Sequence, residues 1–456
     1  MSWEIIILRP AFMKNNIVYI CDSCGADYSK WQGKCDSCNE WNTIKELRIS
    51  NQPLSSQGSK SINEIQPQTI NQIKLTSTIR FKSGIKEVDF VIGGGIIKGE
   101  VILLAGNPGI GKSTLVLQIF SNIKNSLYIS AEESLEQIKI RWQRLKLKNN
   151  HNQFLSTDNL DEALLAIEKT KPSLVIIDSI QAVSDQSLSN TAGSPVQVKI
   201  CALKLQRLAK QLQIPMVLTS HVTKSGIVAG PKTLEHLVDA VFYLEGENLN
   251  MYRILRSVKN RYGSADEIGV FEMTEAGLKE MTNSENIFLD RKILGQSGVV
   301  ATSILEGNRP LIVEIQCLAV KSYLSFPKRT SSGIDINRIS LLIAVLEGTT
   351  KHKFYKYDLF FNLVSGLKTK EHAIDLAVVL SMVSALWKKP INSDCLAIGE
   401  VGLTGEIRPV NQIEKRVEQA KKLGFKKFIV PYNFKKKNDK IIRVKNIKSA
   451  IIEAFK

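Results

Sequence analysis

The stretch Gly106-Asn107-Pro108-Gly109-Ile110-Gly111-Lys112-Ser113-Thr114 decides the fold, because it satisfies the pattern G-x-x-x-x-G-K-[ST] at every position. It follows the apolar run 101–105, which reads as a buried strand, and precedes the largely apolar segment 115–120, which reads as the start of a helix. Glycines let successive backbone N–H groups turn toward one anion, and a helix N-terminus adds partial positive charge. The stretch therefore predicts a phosphate-binding loop for a nucleotide.

Two residues of this loop and one acid further along the chain have distinct expected roles. We expect Lys112 to reach the β- and γ-phosphates of the nucleotide and the Ser113 hydroxyl to hold Mg²⁺. The apolar run 174–177 ends in Asp178, and an acid after a buried strand suits a position that holds Mg²⁺ beside Ser113. A nucleotide and Mg²⁺ are therefore expected at one site.

A pair of acids follows another predicted strand, 127–130. Glu132 or Glu133 could polarise an attacking water as a general base, and position alone does not choose between them. Apolar strands alternate with helical segments from residue 101 to residue 258, which predicts an α/β fold with a mostly parallel sheet. Ligands of such sheets bind at the carboxyl ends of the strands, where the phosphate loop, Glu132 and Asp178 all fall.

Four cysteines near the N-terminus form two C-x-x-C pairs, Cys21, Cys24, Cys35 and Cys38. Two such pairs bring four thiolates to one tetrahedral centre, which is the usual arrangement of structural Zn²⁺ and leaves no open position for water. We expect Tyr19, Trp31 and Trp41 to pack around a core that is too small to hold together without the metal.

The composition favours a polyanionic partner. The chain has 61 Lys+Arg against 44 Asp+Glu, a formal net charge of +17, and residues 421–456 alone carry twelve Lys+Arg and two Asp+Glu. Nucleic acid is the first interpretation, and a solvated lysine-rich surface is the alternative. There is no run of 18 apolar residues, so we expect no membrane span. Cys201, Cys317 and Cys395 lie in apolar surroundings, which is typical of reduced thiols and favours a cytoplasmic location.

The order of motifs resembles the RecA family of strand-exchange ATPases. The resemblance is carried, in chain order, by Gly93-Gly94-Gly95, the phosphate loop, Ser130-Ala131-Glu132-Glu133-Ser134, Ile177-Asp178-Ser179-Ile180-Gln181, Ser220-His221-Val222-Thr223-Lys224-Ser225-Gly226 and Lys259-Asn260-Arg261-Tyr262-Gly263. An N-terminal four-cysteine module is typical of a bacterial DNA-repair branch of this family. The resemblance runs from about residue 17 to the C-terminus.

By position, the resemblance implies roles for several of these residues. It favours Glu132 over Glu133 as the acid that activates water, and it places His221 on the strand that senses the γ-phosphate. Lys259 and Arg261 match residues that reach the nucleotide or DNA across a subunit interface. Such cations stabilise charge in the transition state only when neighbouring subunits are assembled.

Two DNA-facing loops are implied at 184–198 and 222–232, with Lys224 and Lys232 meeting phosphates. The implied activity is a DNA-dependent ATPase of homologous recombination and DNA repair that takes ATP with Mg²⁺. It would form a hexameric ring on single-stranded and branched DNA, work with a recombinase of the RecA type, and branch-migrate recombination intermediates. An ATP-gated mediator that binds DNA without translocating needs the same parts and is the alternative.

The segment 395–410 resembles the proteolytic domain of Lon proteases, which need a Ser nucleophile and a Lys base. By that resemblance, the Ser position falls at residues 372–373, which are His and Ala, and the Lys position falls at Glu414. We therefore expect a Lon-like fold without peptidase activity, and an ATP-dependent protease is only a remote alternative.

Five segments are expected, an extension at 1–16, the zinc-binding module at 17–45, a linker at 46–75, the RecA-like ATPase domain at 76–285 and the α+β Lon-protease-like domain at 286–456. Met13 is an alternative start to Met1. Two positions depart from the RecA-like pattern. Tyr262 replaces Phe and keeps the ring, whereas Asn107 replaces Glu, which removes a charge near the hydrolysed phosphate.

Overall fold

The chain folds into two compact units. The computed structural model describes residues 17–23, 25–48, 80–148, 151–221, 234–246, 252–281, 288–323, 326–364, 367–436 and 440–456. One unit comprises Met1–Glu245, Ile254–Ala265 and Met273–Lys279, and the other comprises Gly246–Arg253, Asp266–Glu272 and Glu280–Lys456. Across these described ranges, none of the helices has the length and apolar character needed to cross a membrane.

A small antiparallel sheet opens the first unit. Its strands are β1 (Ile17–Cys21), β2 (Asp27–Tyr28) and β3 (Ile44–Arg48), in the order β2-β1-β3. Cys21, Cys35 and Ile44 are buried together, and Tyr19 packs against them as predicted. The prediction is wrong for Trp31 and Trp41, which are 59% and 68% exposed, because a core of this size has no volume left for two indole rings.

Between residues 80 and 280, most strands are separated along the chain by helices. The elements are β4 (Arg80–Phe81), α1 (Lys86–Val91), β5 (Ile96–Ile97), β6 (Val101–Gly106), α2 (Lys112–Asn122), β7 (Ser126–Ser130), α3 (Leu135–Arg144), β8 (Gln153–Ser156), α4 (Leu160–Thr170), β9 (Leu174–Asp178), α5 (Pro195–Leu212), β10 (Met216–His221), β11 (Ala240–Glu245), β12 (Tyr252–Asn260), β13 (Ile268–Thr274) and β14 (Gly277–Glu280).

Seven consecutive strands of the central sheet run in the order β12-β11-β6-β10-β9-β7-β8. The pairs from β11 to β8 are parallel, and β12 is antiparallel to β11. Strand β6 is buried along its whole length, as expected for a parallel strand whose two faces are both covered. The predicted α/β class with a mostly parallel sheet is confirmed.

Local sequence explains where several helices begin. Ser134 caps α3 in a capping box, and Asn159 caps α4 by accepting a backbone N–H. Ser194 caps α5, and Pro195 takes its first helical position, where a missing N–H costs nothing. The loop predicted at 184–198 therefore ends at Ser194, and its last four residues belong to α5.

A seven-stranded sheet organises the second unit, in the order β17-β18-β16-β15-β19-β22-β23. Its elements are β15 (Val299–Glu306), β16 (Arg309–Lys321), β17 (Arg329–Ser332), α6 (Ile336–Thr349), β18 (Tyr357–Leu363), α7 (Asp375–Trp387), β19 (Cys395–Ala397), β20 (Glu400–Val401), β21 (Ile407–Arg408), α8 (Ile413–Lys422), β22 (Lys427–Pro431), β23 (Ile441–Val444) and α9 (Ile447–Ala454). Antiparallel pairs join β15, β16 and β18, whereas β19, β22 and β23 run parallel. This mixed sheet with helices agrees with the expected α+β fold.

Candidate functional site

The phosphate loop connects the buried end of β6 to the first turn of α2. Gly109 and Gly111 have φ angles of 74° and 115°, in the left-handed region that favours glycine. Gly111 is also the residue that precedes α2, and no side chain caps the helix there. The backbone N–H groups of the first turn are therefore available to an anion.

Lys112 is buried inside this loop, with 4% of its surface exposed. Its Nζ donates to the carbonyl oxygens of Gly106 at 2.9 Å and Asn107 at 3.1 Å, and it lies 3.1 Å from His221 Nδ1. Burial lowers the pKa of Lys112, and nearby carboxylates oppose that shift. The fold thus holds the ammonium group against the carbonyl oxygens at the start of the phosphate loop.

Glu132 follows β7 and faces His221. The Ser179 hydroxyl donates to Glu132 Oε1, and His221 Nε2 lies 3.5 Å from the same oxygen. These hydrogen bonds, that of His221 first, lower the pKa of Glu132 to about 2 despite partial burial. The carboxylate is therefore ionised at neutral pH.

Glu133 has different surroundings from its neighbour. Its side chain pairs with Arg141 of α3 at 2.5 Å. Its backbone is tied to Ser130, whose hydroxyl accepts from the Glu133 N–H at 3.0 Å. Sequence position could not distinguish the roles of Glu132 and Glu133, whereas their different side-chain partners do.

Asp178 ends β9 between two strands that supply its hydrogen-bond donors. The Tyr128 hydroxyl of β7 donates to Oδ2, and the Thr219 hydroxyl of β10 donates to Oδ1. Burial raises the pKa of Tyr128 well above its ordinary value, so this phenol remains a donor. The carboxylate is fixed in orientation at the carboxyl end of the sheet.

Sequence reasoning missed Gln181, although it lies in a motif that was singled out. Its side-chain amide donates to the His221 carbonyl at 3.0 Å, and its Oε1 accepts from the His221 N–H at 2.8 Å. This reciprocal pair holds the last residue of β10 in place. The only signal was the position of Gln181 three residues after Asp178.

One cavity of about 330 Å³ brings the predicted residues together. It is lined by Gly109, Gly111, Lys112, Ser113, Thr114, Glu132, Glu133, Arg141, Arg144, Asp178 and His221. Arg141 and Arg144 were also missed, although their i, i+3 spacing on α3 places both on one face. A second cavity of about 440 Å³ shares Thr114 and Arg144 and extends to Met273.

Two further predicted cations do not line the first cavity within the described part of the chain. Lys259 Nζ donates to the carbonyls of Glu235 and Val238. Arg261 Nη1 lies 3.4 Å from Asp239 Oδ1, and the Arg261 side chain is 53% exposed. In the phosphate loop, the side chain of Asn107 is exposed.

The cysteine cluster has the chemistry of a zinc site. The sulfur atoms of Cys21, Cys35 and Cys38 all lie within 4.8 Å of one another, and those of Cys21 and Cys38 are 3.7 Å apart. Two thiolates on one tetrahedral Zn²⁺ at 2.3 Å would be separated by about 3.8 Å, so the spacing fits this metal. The fourth predicted ligand, Cys24, lies outside the described residues, and so do Lys224 and Lys232.

The peptidase positions of the second unit hold no Ser–Lys pair. Ala373 is buried and has no hydroxyl, and Glu414 pairs with Lys436 at 3.3 Å. Nearby Arg416 is fully buried, where it pairs with Glu371 and donates to backbone carbonyls. The residues at these positions therefore serve packing and charge pairing.

Three families match separate parts of the chain. The family described as AAA domain matches residues 66–226, the rubredoxin metal binding domain matches 19–46, and subunit ChlI of Mg-chelatase matches 340–433. These matches agree with a nucleotide-binding core, a zinc module and a separate C-terminal fold.

Relatives match along nearly the whole chain. DNA repair protein RadA of Bacillus subtilis is 43% identical over 96% of this chain and 98% of its own length. The proteins of that name from Haemophilus influenzae and Escherichia coli are 42% and 41% identical, over 95% and 91% of this chain and 97% and 92% of their own. A solved KaiC-like protein from Pyrococcus horikoshii matches 45% of this chain and 99% of its own at 20% identity, with a TM-score of 0.38. From the relatives, the chain belongs to the DNA repair protein RadA family of RecA-like ATPases.

Proposed function

We propose that the chain is a DNA-dependent ATPase that works as a ring-shaped motor on single-stranded DNA and branch-migrates recombination intermediates. One observation carries the ATPase part of the proposal. Lys112, Glu132 and Asp178 line a single cavity at the carboxyl end of a parallel sheet, beside an uncapped helix N-terminus. A phosphate cradle, an ionised carboxylate and an oriented aspartate are the parts that hydrolysis of a phosphoanhydride needs.

The substrate that we propose for this cavity is ATP. Backbone N–H groups of the loop and Lys112 would hold the phosphates, and Arg141 and Arg144 add positive charge to the same cavity. Ser113 and Asp178 line it as hard oxygen donors and would hold Mg²⁺. When bound, that ion would neutralise phosphate charge as it develops.

Glu132 is the residue we assign to the attacking water. Its pKa of about 2 makes it a weak base, so it orients and polarises the water rather than removing a proton outright. The Ser179 and His221 contacts hold its Oε1 toward the cavity. Glu133 pairs with Arg141, which supports the choice of Glu132.

His221 would couple the nucleotide to the second DNA-facing loop. Its ring contacts both Lys112 and Glu132, and its backbone is held by Gln181. The next residue starts the predicted loop 222–232. A γ-phosphate that pulls Lys112 away from the imidazole would therefore change the restraint on that loop.

A neighbouring subunit would complete the site. Arg261 and Lys259 do not line their own chain's described cavity, and the Arg261 side chain is half exposed. A cation supplied in trans stabilises transition-state charge only in the assembled ring. We propose a hexamer for this assembly.

The net charge of +17 and the name of the relatives support DNA as the polymer on which the motor acts. The loop 184–194 and the loop 222–232, which includes Lys224 and Lys232, would face it. A recombinase of the RecA type is the proposed partner on branched DNA, and the proposed location is cytoplasmic.

Branch migration can be tested with the purified chain, ATP and a labelled three-strand intermediate. We expect the wild type to move the branch, whereas Glu132→Gln should bind the DNA and leave the branch in place. If the wild type and Glu132→Gln both bind the DNA and neither moves the branch, the chain acts as a mediator, and that result would overturn the motor.

A further inference from the structure

The outward face of strand β1 packs on helix α5. Side chains alternate along a strand, so Tyr19 and Cys21 face the core of the zinc module and Ile20 faces away. Ile20 is nevertheless only 2% exposed, because it packs against Val196 and Ile200. Leu188 and Leu203 are packed against the same cluster. The zinc module thus packs through an apolar contact on the first turns of α5.

Lys199 of α5 reaches the metal-binding turn itself. Its Nζ donates to the Gly25 carbonyl at 3.1 Å and pairs with Asp27 Oδ1 at 3.0 Å, and its side chain is 12% exposed. The Gly25 N–H donates to the Cys21 carbonyl at 2.8 Å, which closes the turn that begins at a zinc ligand. The position of the Gly25 carbonyl therefore depends on the geometry of that turn.

The predicted first DNA-facing loop is hydrogen-bonded to both the zinc module and α5. Asn190 donates its amide to Asp22 Oδ1 at 3.0 Å, one residue after Cys21. On the other side, the Gln197 amide of α5 donates to the carbonyls of Asn190 and Asp185 at 2.9 and 3.1 Å. The loop is therefore fixed between the zinc module and α5.

These contacts depend on the metal. A module of this size has too small a core to remain folded when its thiolates lose their ion. Its unfolding would withdraw the partners of Lys199 and Asn190 and uncover Ile20 together with the α5 surface beneath it. The loop would then keep only its bonds to α5.

We propose that the zinc module positions the loop 185–194 through Lys199, Asn190 and Ile20, so that zinc loading sets the affinity of the chain for single-stranded DNA. The ligand of the loop rests on the proposed function. The restraint on the loop does not, because it follows from contacts within the chain.

Hydrogen exchange of the full chain tests the restraint without DNA. After zinc is removed with a chelator, the amides of 185–194 should exchange faster, whereas those of α7 in the second unit should be unchanged. Unchanged exchange in 185–194 after measured zinc loss would overturn the proposal.

Lys199→Gln separates positioning from metal binding. The variant should keep its zinc and its turnover without DNA, and it should need about fivefold more single-stranded oligonucleotide for half-maximal stimulation. Lys199→Arg should restore the wild-type value, and Lys169→Gln, the same change at an exposed position of α4, should match the wild type. Equal DNA requirements for Lys199→Gln and the wild type would refute the proposal. If DNA fails to stimulate even the wild type, the proposed function fails, and the exchange experiment still decides the restraint.

Discussion

At the scale of single residues, partners rather than sequence position distinguish the acids of the site. Glu132 and Glu133 are consecutive, yet the first contacts Ser179 and His221 while the second pairs with Arg141. These partners are far away in the chain and become neighbours only through the order of the strands. Because their surroundings differ, replacing each carboxylate by an amide should have different effects on ATP turnover.

Glu132→Gln should reduce ATP turnover by about 10²–10⁴-fold, because the neutral amide cannot polarise the attacking water as the carboxylate does. Nucleotide binding should persist, since the loop and Lys112 are unchanged. Phosphate release and equilibrium binding of a labelled nucleotide measure the two effects. Glu133→Gln is the matched control and should retain most of the turnover, and a larger loss in the control than in Glu132→Gln would contradict the assignment.

Glu100 predicts a pH dependence of stability. It is 1% exposed, and burial raises its pKa from 4.5 to about 7. The folded chain therefore holds this proton at pH values where the unfolded chain has released it, so stability is lost as pH rises from about 4.5 through 7. Glu100→Gln removes that loss and should raise the free energy of unfolding at pH 8 by about 1–3 kcal/mol.

Denaturant unfolding at pH 8 and pH 5 checks this prediction. The advantage of Glu100→Gln over the wild type should be larger at pH 8. An equal difference at both pH values would show that ionisation of Glu100 is not responsible.

At the scale of elements, the strand–loop–helix at 101–122 was predictable because the glycine pattern and the apolar runs are local. The start of α3 at Leu135 follows a similarly local signal, the capping box of Ser134. The Gln181 clamp was not predictable, since it requires β9 and β10 to be neighbours. The 109-residue separation between Lys112 and His221 illustrates the same limit.

The zinc module shows where composition misleads. Aromatic residues beside cysteines predicted a packed core, and Tyr19 and Tyr28 do contribute to it. Trp31 and Trp41 stay exposed, because cysteines and Ile44 already fill the small interior. The number of side chains that can be buried in such a core depends on its volume. The types of residue in the sequence do not reveal that volume.

Cys35→Ser should release zinc, because a hydroxyl is a poor replacement for a thiolate ligand. The ATPase core should stay folded, since its large buried cluster includes no residue of the module and only the small cluster of Ile20, Val196 and Ile200 is shared. Metal content by atomic spectroscopy and the circular dichroism spectrum test the two parts. Full metal retention, or loss of most of the helical signal, would contradict the expectation.

At the scale of the whole molecule, the proposed ring requires active sites that are shared between neighbouring subunits. Lys112→Ala and Arg261→Ala should each lose hydrolysis, one within its own site and the other at a neighbour's. Mixed in equal amounts and allowed to reassemble, the two variants should recover about a quarter of the wild-type turnover, because about one interface in four pairs two intact halves. No recovery in demonstrably mixed oligomers would indicate that Arg261 acts within its own chain.

In the proposed motor, DNA controls the ATP site. This control is tested by the rate of ATP hydrolysis by the full, zinc-loaded chain with and without single-stranded DNA, measured across a salt series. We expect DNA to raise the rate and added salt to weaken the effect, because phosphate contacts release counterions. A rate that DNA leaves unchanged at low salt, where binding itself is observed, would contradict it.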